Sequence, residues 1–404
     1  MQSIFEAQQI IISEFEQQNF QHRLIFDEIN LDNKLTGVVG ACGVGKTTLL
    51  LQQAINAGAK QGRALYVLAD NVFFLEHRLI DLVDYLYKET DVELLCVDEI
   101  HKYPNWQQEL KNIADIYQSF RVLFSGSSMI DIIRGKYDLS RRVTLYSLYG
   151  FSFREYLQIV KGIDVPKLTL EQLLDSHQNV ARDLNLPKVL KYFDDYLHIG
   201  YYPYFLELSQ DKDKLQAINH AYKKTIYEDV ASMHALKTST LQIMDNLFRY
   251  SLITPAGELS VNKLASYLGR SFDSVSDYLA ILQEAGLLRA IYKKGHSKQH
   301  LRNPTKVYPD NPNLIDCIAL TGTTDQLIGK KRETFMVSHC QNAGYEVVYS
   351  AQGDCQIQDH TFEVGGKRKT AQQIKQLEKA YVVKDGIVVG DSRTIPLYLW
   401  GLLY

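Results

Sequence analysis

Cysteine is scarce and scattered in this chain. Five cysteines (Cys42, Cys96, Cys317, Cys340, Cys355) occur in 404 residues, an odd number with no C-x-x-C pair. That excludes a disulfide-stapled frame and a zinc-ribbon site, and it fits free thiols in a reducing compartment. Nine prolines and 24 glycines are too few for a collagen-like or low-complexity chain. Charge of one sign is also missing: 44 basic against 47 acidic residues leave −3, so there is no bulk cationic field for nucleic acid. No apolar run approaches the roughly 20 residues that span a bilayer. The opening stretch MQSIFEAQQIIISEFEQQ lacks the cationic start and apolar core of a signal peptide. The expectation is a soluble cytoplasmic protein with no membrane partner.

What is present is ordinary globular material, 46% hydrophobic and 23% charged, at a length that predicts roughly two to four domains. The charge is unevenly spread. Residues 1–150 hold 14 Lys+Arg against 19 Asp+Glu, while residues 241–404 hold 19 against 16. The chain is acidic in front and mildly basic behind, as a division of labour would leave it.

Leu35-Thr36-Gly37-Val38-Val39 reads as a buried strand, Gly40 to Thr47 matches G-x-x-x-x-G-K-[ST] in full, and Thr48 to Ala54 is helical in character. Strand, glycine-rich turn and helix N-terminus are the context this motif needs. The glycines let successive N–H groups face phosphate oxygens, and the helix N-terminus adds partial positive charge. Gly40, Gly43, Val44, Gly45, Lys46, Thr47 and Thr48 are therefore the candidate nucleotide-binding residues, with Lys46 for the β- and γ-phosphates and Thr47 for Mg2+. A second apolar run, Val92 to Val97, ends in Asp98-Glu99. A carboxylate at the end of a parallel strand lies beside such a loop. Asp98 is the second candidate Mg2+ residue, and Glu99 is the candidate that orients or deprotonates water. Small-molecule kinases share the loop but generally not the Asp-Glu strand end, so the pair favours an ATPase. A third strand, Phe120 to Phe124, ends in Ser125-Gly126-Ser127-Ser128. Ser125 is a candidate contact to the γ-phosphate or the water, while Ser127 or Ser128 reads equally well as a helix N-cap. Leu65 to Asp70 supplies a further strand, and the alternation implies a parallel sheet covered on both faces.

Taken with Leu139-Ser140-Arg141-Arg142-Val143, Tyr149-Gly150-Phe151-Ser152-Phe153-Arg154-Glu155-Tyr156 and Gly200-Tyr201-Tyr202-Pro203, these motifs resemble the prokaryotic AAA-type ATPases, the archaeal-ATPase-like branch of the signal-transduction NTPases. The resemblance implies a P-loop NTPase core (residues 1–156), a helical lid (157–240), a winged helix (241–308) and a small α/β domain like the PD-(D/E)xK nucleases (309–404). It also makes Arg142 a candidate γ-phosphate contact, with Arg141 in place of the family glycine. An arginine acting on a neighbouring subunit's nucleotide would make the protein a homo-oligomer.

Helical periodicity over 157–240 suits a lid, and equally a packing bundle. Leu264 to Gly269, Ser271 to Leu282 and Gly286 to Leu288 read as two helices leading into a strand. The stretch 289–308 has no acidic residue and carries Arg289, Lys293, Lys294, Lys298, Arg302 and Lys306 with His296 and His300. It could grip duplex DNA, or stand as a solvated face or a contact for a protein partner. In the nuclease-like tail Glu333, Asp354 and Glu363 hold the three acidic positions that bind a metal in that pattern. Gly365 stands where the lysine belongs, with Lys367 two residues on. This predicts a degenerate domain used for recognition or autoinhibition. The expected function is a Mg2+-dependent ATPase whose nucleotide state switches its helical and C-terminal regions. The alternative is an ATP-regulated DNA-binding or DNA-cleaving protein.

Overall fold

The computed structural model describes residues 1–18, 20–127, 139, 141–254, 259–295, 304–317 and 325–404, with backbone alone at 325 and 326. The described chain forms two compact units, Met1–Tyr149 and Gly150–Tyr404.

The first unit alternates strands and helices: α1 (Gln2–Gln17), β1 (Leu35–Val39), α2 (Lys46–Asn56), β2 (Ala64–Leu68), α3 (Leu79–Glu89), β3 (Leu94–Asp98), α4 (Trp106–Ile116), β4 (Arg121–Gly126) and β5 (Val143–Ser147). All five strands run parallel in the order β2-β3-β4-β1-β5. Strands such as Leu-Thr-Gly-Val-Val and Leu-Leu-Cys-Val-Asp are buried along their whole length, as a sheet with two covered faces requires. The pleat sorts them. Leu35, Val67, Val97 and Phe124 share one core with residues of α3 and α4, while Val38, Tyr66, Cys96 and Leu123 share the other with residues of α2. The four strands legible in the sequence form within a few residues of their expected bounds. The fifth, β5, went unread because an edge strand half-open to solvent carries no apolar run.

In the second unit, Phe151, Phe153 and Tyr156 join a core with Phe335, Phe362 and Trp400, so residues 150–156 pack here and not with the nucleotide-type core. The Ser-Phe-Arg-Glu part of their motif is a capping box: Ser152 Oγ accepts from the Glu155 N–H at 3.0 Å, and Glu155 Oε2 accepts from the Ser152 N–H at 3.3 Å. Helices Phe153–Lys161, Val189–Ile199, Asp211–Lys224 and Thr238–Ile253 follow. Helices Val261–Leu268 and Phe272–Glu284 then lead into the antiparallel hairpin β6 (Leu288–Ile291) and β7 (Lys306–Pro309). After helix Asp325–Asn342 comes a second sheet of β8 (Val347–Val348), β9 (Cys355–Ile357), β10 (His360–Gly365), β11 (Ala380–Lys384) and β12 (Thr394–Pro396), ordered β12-β11-β10-β9-β8. Strands β8 to β10 pair antiparallel, and β10 to β12 pair parallel. No helix among the described residues is long and apolar enough to cross a membrane.

Candidate functional site

The carboxyl ends of β1, β3 and β4 bring the sequence-predicted residues together. Gly43 and Gly45 turn the loop through positive φ, at 83° and 95°, and α2 starts at Lys46 with Gly45 as its cap. The first amide closed within the helix is that of Leu49, onto Gly45 O at 3.0 Å. The amides of Thr47 and Thr48 precede it, in the first turn, where a helix N-terminus offers donors to an anion. The Lys46 ammonium donates to the carbonyls of Gly40 and Ala41, both at 2.8 Å.

Asp98 ends β3 and is buried. Its Oδ2 accepts from the Thr47 hydroxyl at 2.6 Å and from the Tyr66 hydroxyl at 3.0 Å. Its Oδ1 accepts from the Ser125 hydroxyl and from the Glu99 N–H, the latter at 3.1 Å. Burial and the Asp98 charge together push the Tyr66 hydroxyl far above the ordinary tyrosine range, so it stays a donor. Ser125 is fully buried and also accepts from the Glu99 N–H at 2.8 Å. It therefore aligns Asp98 and the turn of Glu99, at a position expected to contact the γ-phosphate or the attacking water. Glu99 itself sits at φ 52°, a left-handed turn that carries its side chain off the strand line. Its carboxylate pairs with Lys102, which also pairs with Asp70 at 2.8 Å. Burial draws the Lys102 ammonium down, but these two carboxylates outweigh it and hold it above the usual lysine range.

Two placements differ from expectation. Arg142 immediately precedes β5, where Val143 pairs with Leu35 at the start of β1. The phosphate loop follows the other end of β1, five residues and about 16 Å away along the strand. Arg142 Nε instead donates to Asp115 Oδ1 at 2.9 Å, so it is not a γ-phosphate contact within its own chain. Arg23 was missed in the sequence: buried, it donates to Val44 O at 2.8 Å and Tyr149 O at 2.9 Å, bracing the loop from behind. No local motif marks it, because its partners are 21 and 126 residues away. Ser127 ends the described part of its loop; Ser128, its helix start and Ser140 lie outside the described residues.

In the second unit Glu333 (helix Asp325–Asn342), Asp354 (just before β9) and Glu363 (β10) do converge: the Asp354 charge acts on both glutamates, and burial with that charge raises both carboxyls. Lys367 does not join them. It stays exposed, and Lys369 pairs with Glu363. The cause is a turn, with Lys369 N donating to Gly366 O at 2.9 Å. This lays the Lys369 side chain where a Cβ on Gly365 would stand, 2.7 Å from it. In the basic stretch Arg289 pairs with Asp310 at 2.7 Å and Lys306 is buried, so both face inward. Lys293 and Lys294 are exposed. His296, Lys298, His300 and Arg302 lie outside the described residues.

Residues 32–157 match the family model described as an AAA domain, and residues 190–324 match one described as a domain of unknown function, DUF8612. The chain is 26% identical over 430 residues to the uncharacterized protein MJ1637 of Methanocaldococcus jannaschii, covering 95% of this chain and 88% of that protein. Among solved structures, AMPPCP-bound DnaA from Aquifex aeolicus is 17% identical with a TM-score of 0.27, covering 64% of this chain and 85% of that one. The Drosophila ORC bound to GC-rich DNA and Cdc6 is 12% identical with a TM-score of 0.24, covering 78% and 93%. Scores this low carry no functional conclusion. The phosphate loop and the parallel sheet that carries it lie within the stretch that matches the AAA-domain model.

Proposed function

We propose that this protein is a cytoplasmic Mg2+-dependent ATPase whose nucleotide state switches its helical and C-terminal regions. The observation that carries the reading is the meeting of Lys46, Thr47, Asp98 and Glu99 at one sheet edge, with Thr47 and Asp98 already 2.6 Å apart. The N–H groups of the first turn of α2 and the Lys46 ammonium bind the β- and γ-phosphates. The Thr47 hydroxyl and the Asp98 carboxylate are hard oxygen donors that fit Mg2+. When bound, the ion supplies charge neutralisation to the phosphates. Ser125 holds the Asp98 carboxylate and the Glu99 amide, and Glu99 orients the attacking water.

Lys46→Ala is expected to abolish ATP binding in calorimetry. Glu99→Gln should bind ATP as wild type does while losing about 100-fold or more of turnover, the scale of a lost proton-transfer group. Wild-type turnover in Glu99→Gln would refute the assigned role. DNA-dependent function is the less supported reading, because Arg289 and Lys306 of the basic stretch are internal. Salt-sensitive binding of duplex DNA, with or without ATP, would restore it.

A further inference from the structure

The acidic cluster of the second unit has cations of its own. Lys306 reaches it from β7: its ammonium lies 3.4 Å from Asp354 Oδ1, 3.7 Å from Glu333 Oε2 and 3.1 Å from the Asp354 carbonyl. Tyr308, two residues along the same strand face, donates its hydroxyl to Glu333 Oε2 at 2.9 Å. The other Asp354 oxygen accepts from the Val364 N–H at 2.8 Å. Glu363 pairs with Lys369, and the Gln373 amide, turned nitrogen-inward, donates to both its oxygens at 3.0 and 2.7 Å. Two ammonium groups thus sit among three carboxylates, and each carboxylate has protein donors.

This donor set does not fit a divalent ion. A resident Mg2+ or Mn2+ must approach its carboxylate oxygens to about 2.0–2.2 Å. The Lys306 ammonium stands between Glu333 and Asp354, on a residue that is 8% exposed. Among the described residues no group of three or more His, Cys, Asp or Glu side chains is arranged to hold a metal.

The hairpin that delivers Lys306 is divided between two cores. Ile291 and Tyr308 belong to the core of Phe335, Phe362 and Trp400, while Leu288 and Val307 belong to that of Phe248, Leu264 and Leu279. Arg289, beside Tyr308 in the ladder, extends the first set by donating to Ser338 O at 3.5 Å and Gln341 Oε1 at 3.4 Å. Lys306 is the charged centre of that contact.

We propose that Lys306 and Lys369 are the resident cations of this cluster, standing where a metal ion would, and that the cluster works as a latch fastening the β6–β7 hairpin to the second sheet. The physical reason is asymmetric. A buried ammonium between two carboxylates is tolerated because it is paired, and removing it leaves an uncompensated negative pair, which is strongly destabilising. The latch is independent of the ATPase reading and can stand or fall without it.

The test uses the full chain without nucleotide. Mn2+ titrated into the wild type and followed by electron paramagnetic resonance should reveal no site that depends on Glu363. Mn2+ binding that disappears in Glu363→Gln overturns the resident-cation half. Hydrogen exchange tests the latch: Lys306→Met should speed amide exchange in residues 288–291 and 306–308 by about tenfold or more while β1 and β4 keep their protection, and Lys306→Arg should stay near wild type. Unchanged hairpin exchange in Lys306→Met overturns the latch. If Lys306→Met does not fold, Lys306→Met with Glu333→Gln removes the cation and one of its two carboxylates, and the same hairpin readout decides.

Discussion

At the scale of residues, the proposed site divides into side chains offered to a nucleotide and side chains that hold them in place. Arg23 belongs to the second kind. Its guanidinium donates to Val44 O in the phosphate loop and to Tyr149 O, and it is buried. Arg23→Met keeps much of the stem but removes the charge-assisted bonds, each worth about 1.5–3 kcal/mol. The expected result is ATP affinity at least about tenfold weaker, the equivalent of about 1.4 kcal/mol. Calorimetric titration checks it, and an affinity equal to wild type would show that the loop holds its shape unaided. The residues proposed to meet the nucleotide were legible as candidates because loop, lysine and threonine are contiguous, and because Asp98-Glu99 ends an apolar run. Arg23, Tyr66 and Ser125 were not legible in these roles, since each acts on a partner supplied by another element. The same holds for Lys306 and Lys369. The sequence shows a lysine missing at Gly365, but not that β7 and a turn after β10 return two cations to the cluster.

At the scale of elements, the helix Asp325–Asn342 is fixed by groups that a pattern reading passes over. His339 on this helix is wholly buried, with Nδ1 3.0 Å from Phe335 O and Nε2 3.1 Å from the Tyr196 hydroxyl. Burial pulls its pKa down to about 3; the Phe335 carbonyl opposes the shift and Arg289 adds to it. Unfolded, the imidazole titrates near 6.5, so between those values the unfolded chain binds the extra proton. Stability from this group is therefore complete above pH 6.5 and is lost as pH falls toward 3, at up to about 1.4 kcal/mol per pH unit. Urea midpoints at pH 7 and pH 5 should separate more in the wild type than in His339→Gln. An equal separation would mean that the buried imidazole does not set the acid response. Elements with strong apolar runs, β1 to β4, were legible; β5 was not, because its support comes from pairing with β1. The capping box at Ser152 was visible as a motif, yet its part in starting a helix emerged only with the fold.

At the scale of the whole molecule, the charge asymmetry takes on a different meaning. The basic back segment spends part of its charge internally: Arg289 on Asp310, Lys306 and Lys369 on the acidic cluster, Lys331 on Asp316 and Arg332 on Asp385. Lys330 is buried and donates to the carbonyls of Ser251 and Thr254 near the end of helix Thr238–Ile253. The ion pairs cancel charge within residues 241–404, so the excess of 19 basic over 16 acidic residues rests on other cations, among them the exposed Lys293, Lys294 and Lys367. In the front unit the question is Arg142, held by Asp115 at the sheet edge opposite the phosphate loop. If this arginine assists hydrolysis, the fold leaves it only the nucleotide of another copy. Full-length Lys46→Ala retains Arg142 but lacks the phosphate lysine; full-length Arg142→Ala retains the phosphate lysine but lacks the arginine. Each alone is expected to hydrolyse ATP poorly, and their mixture should exceed the sum of the two, because one chain supplies the arginine and the other the nucleotide. A mixture that only equals the sum, with both variants folded by circular dichroism, would confine Arg142 to its ion pair and leave hydrolysis to the residues of a single chain.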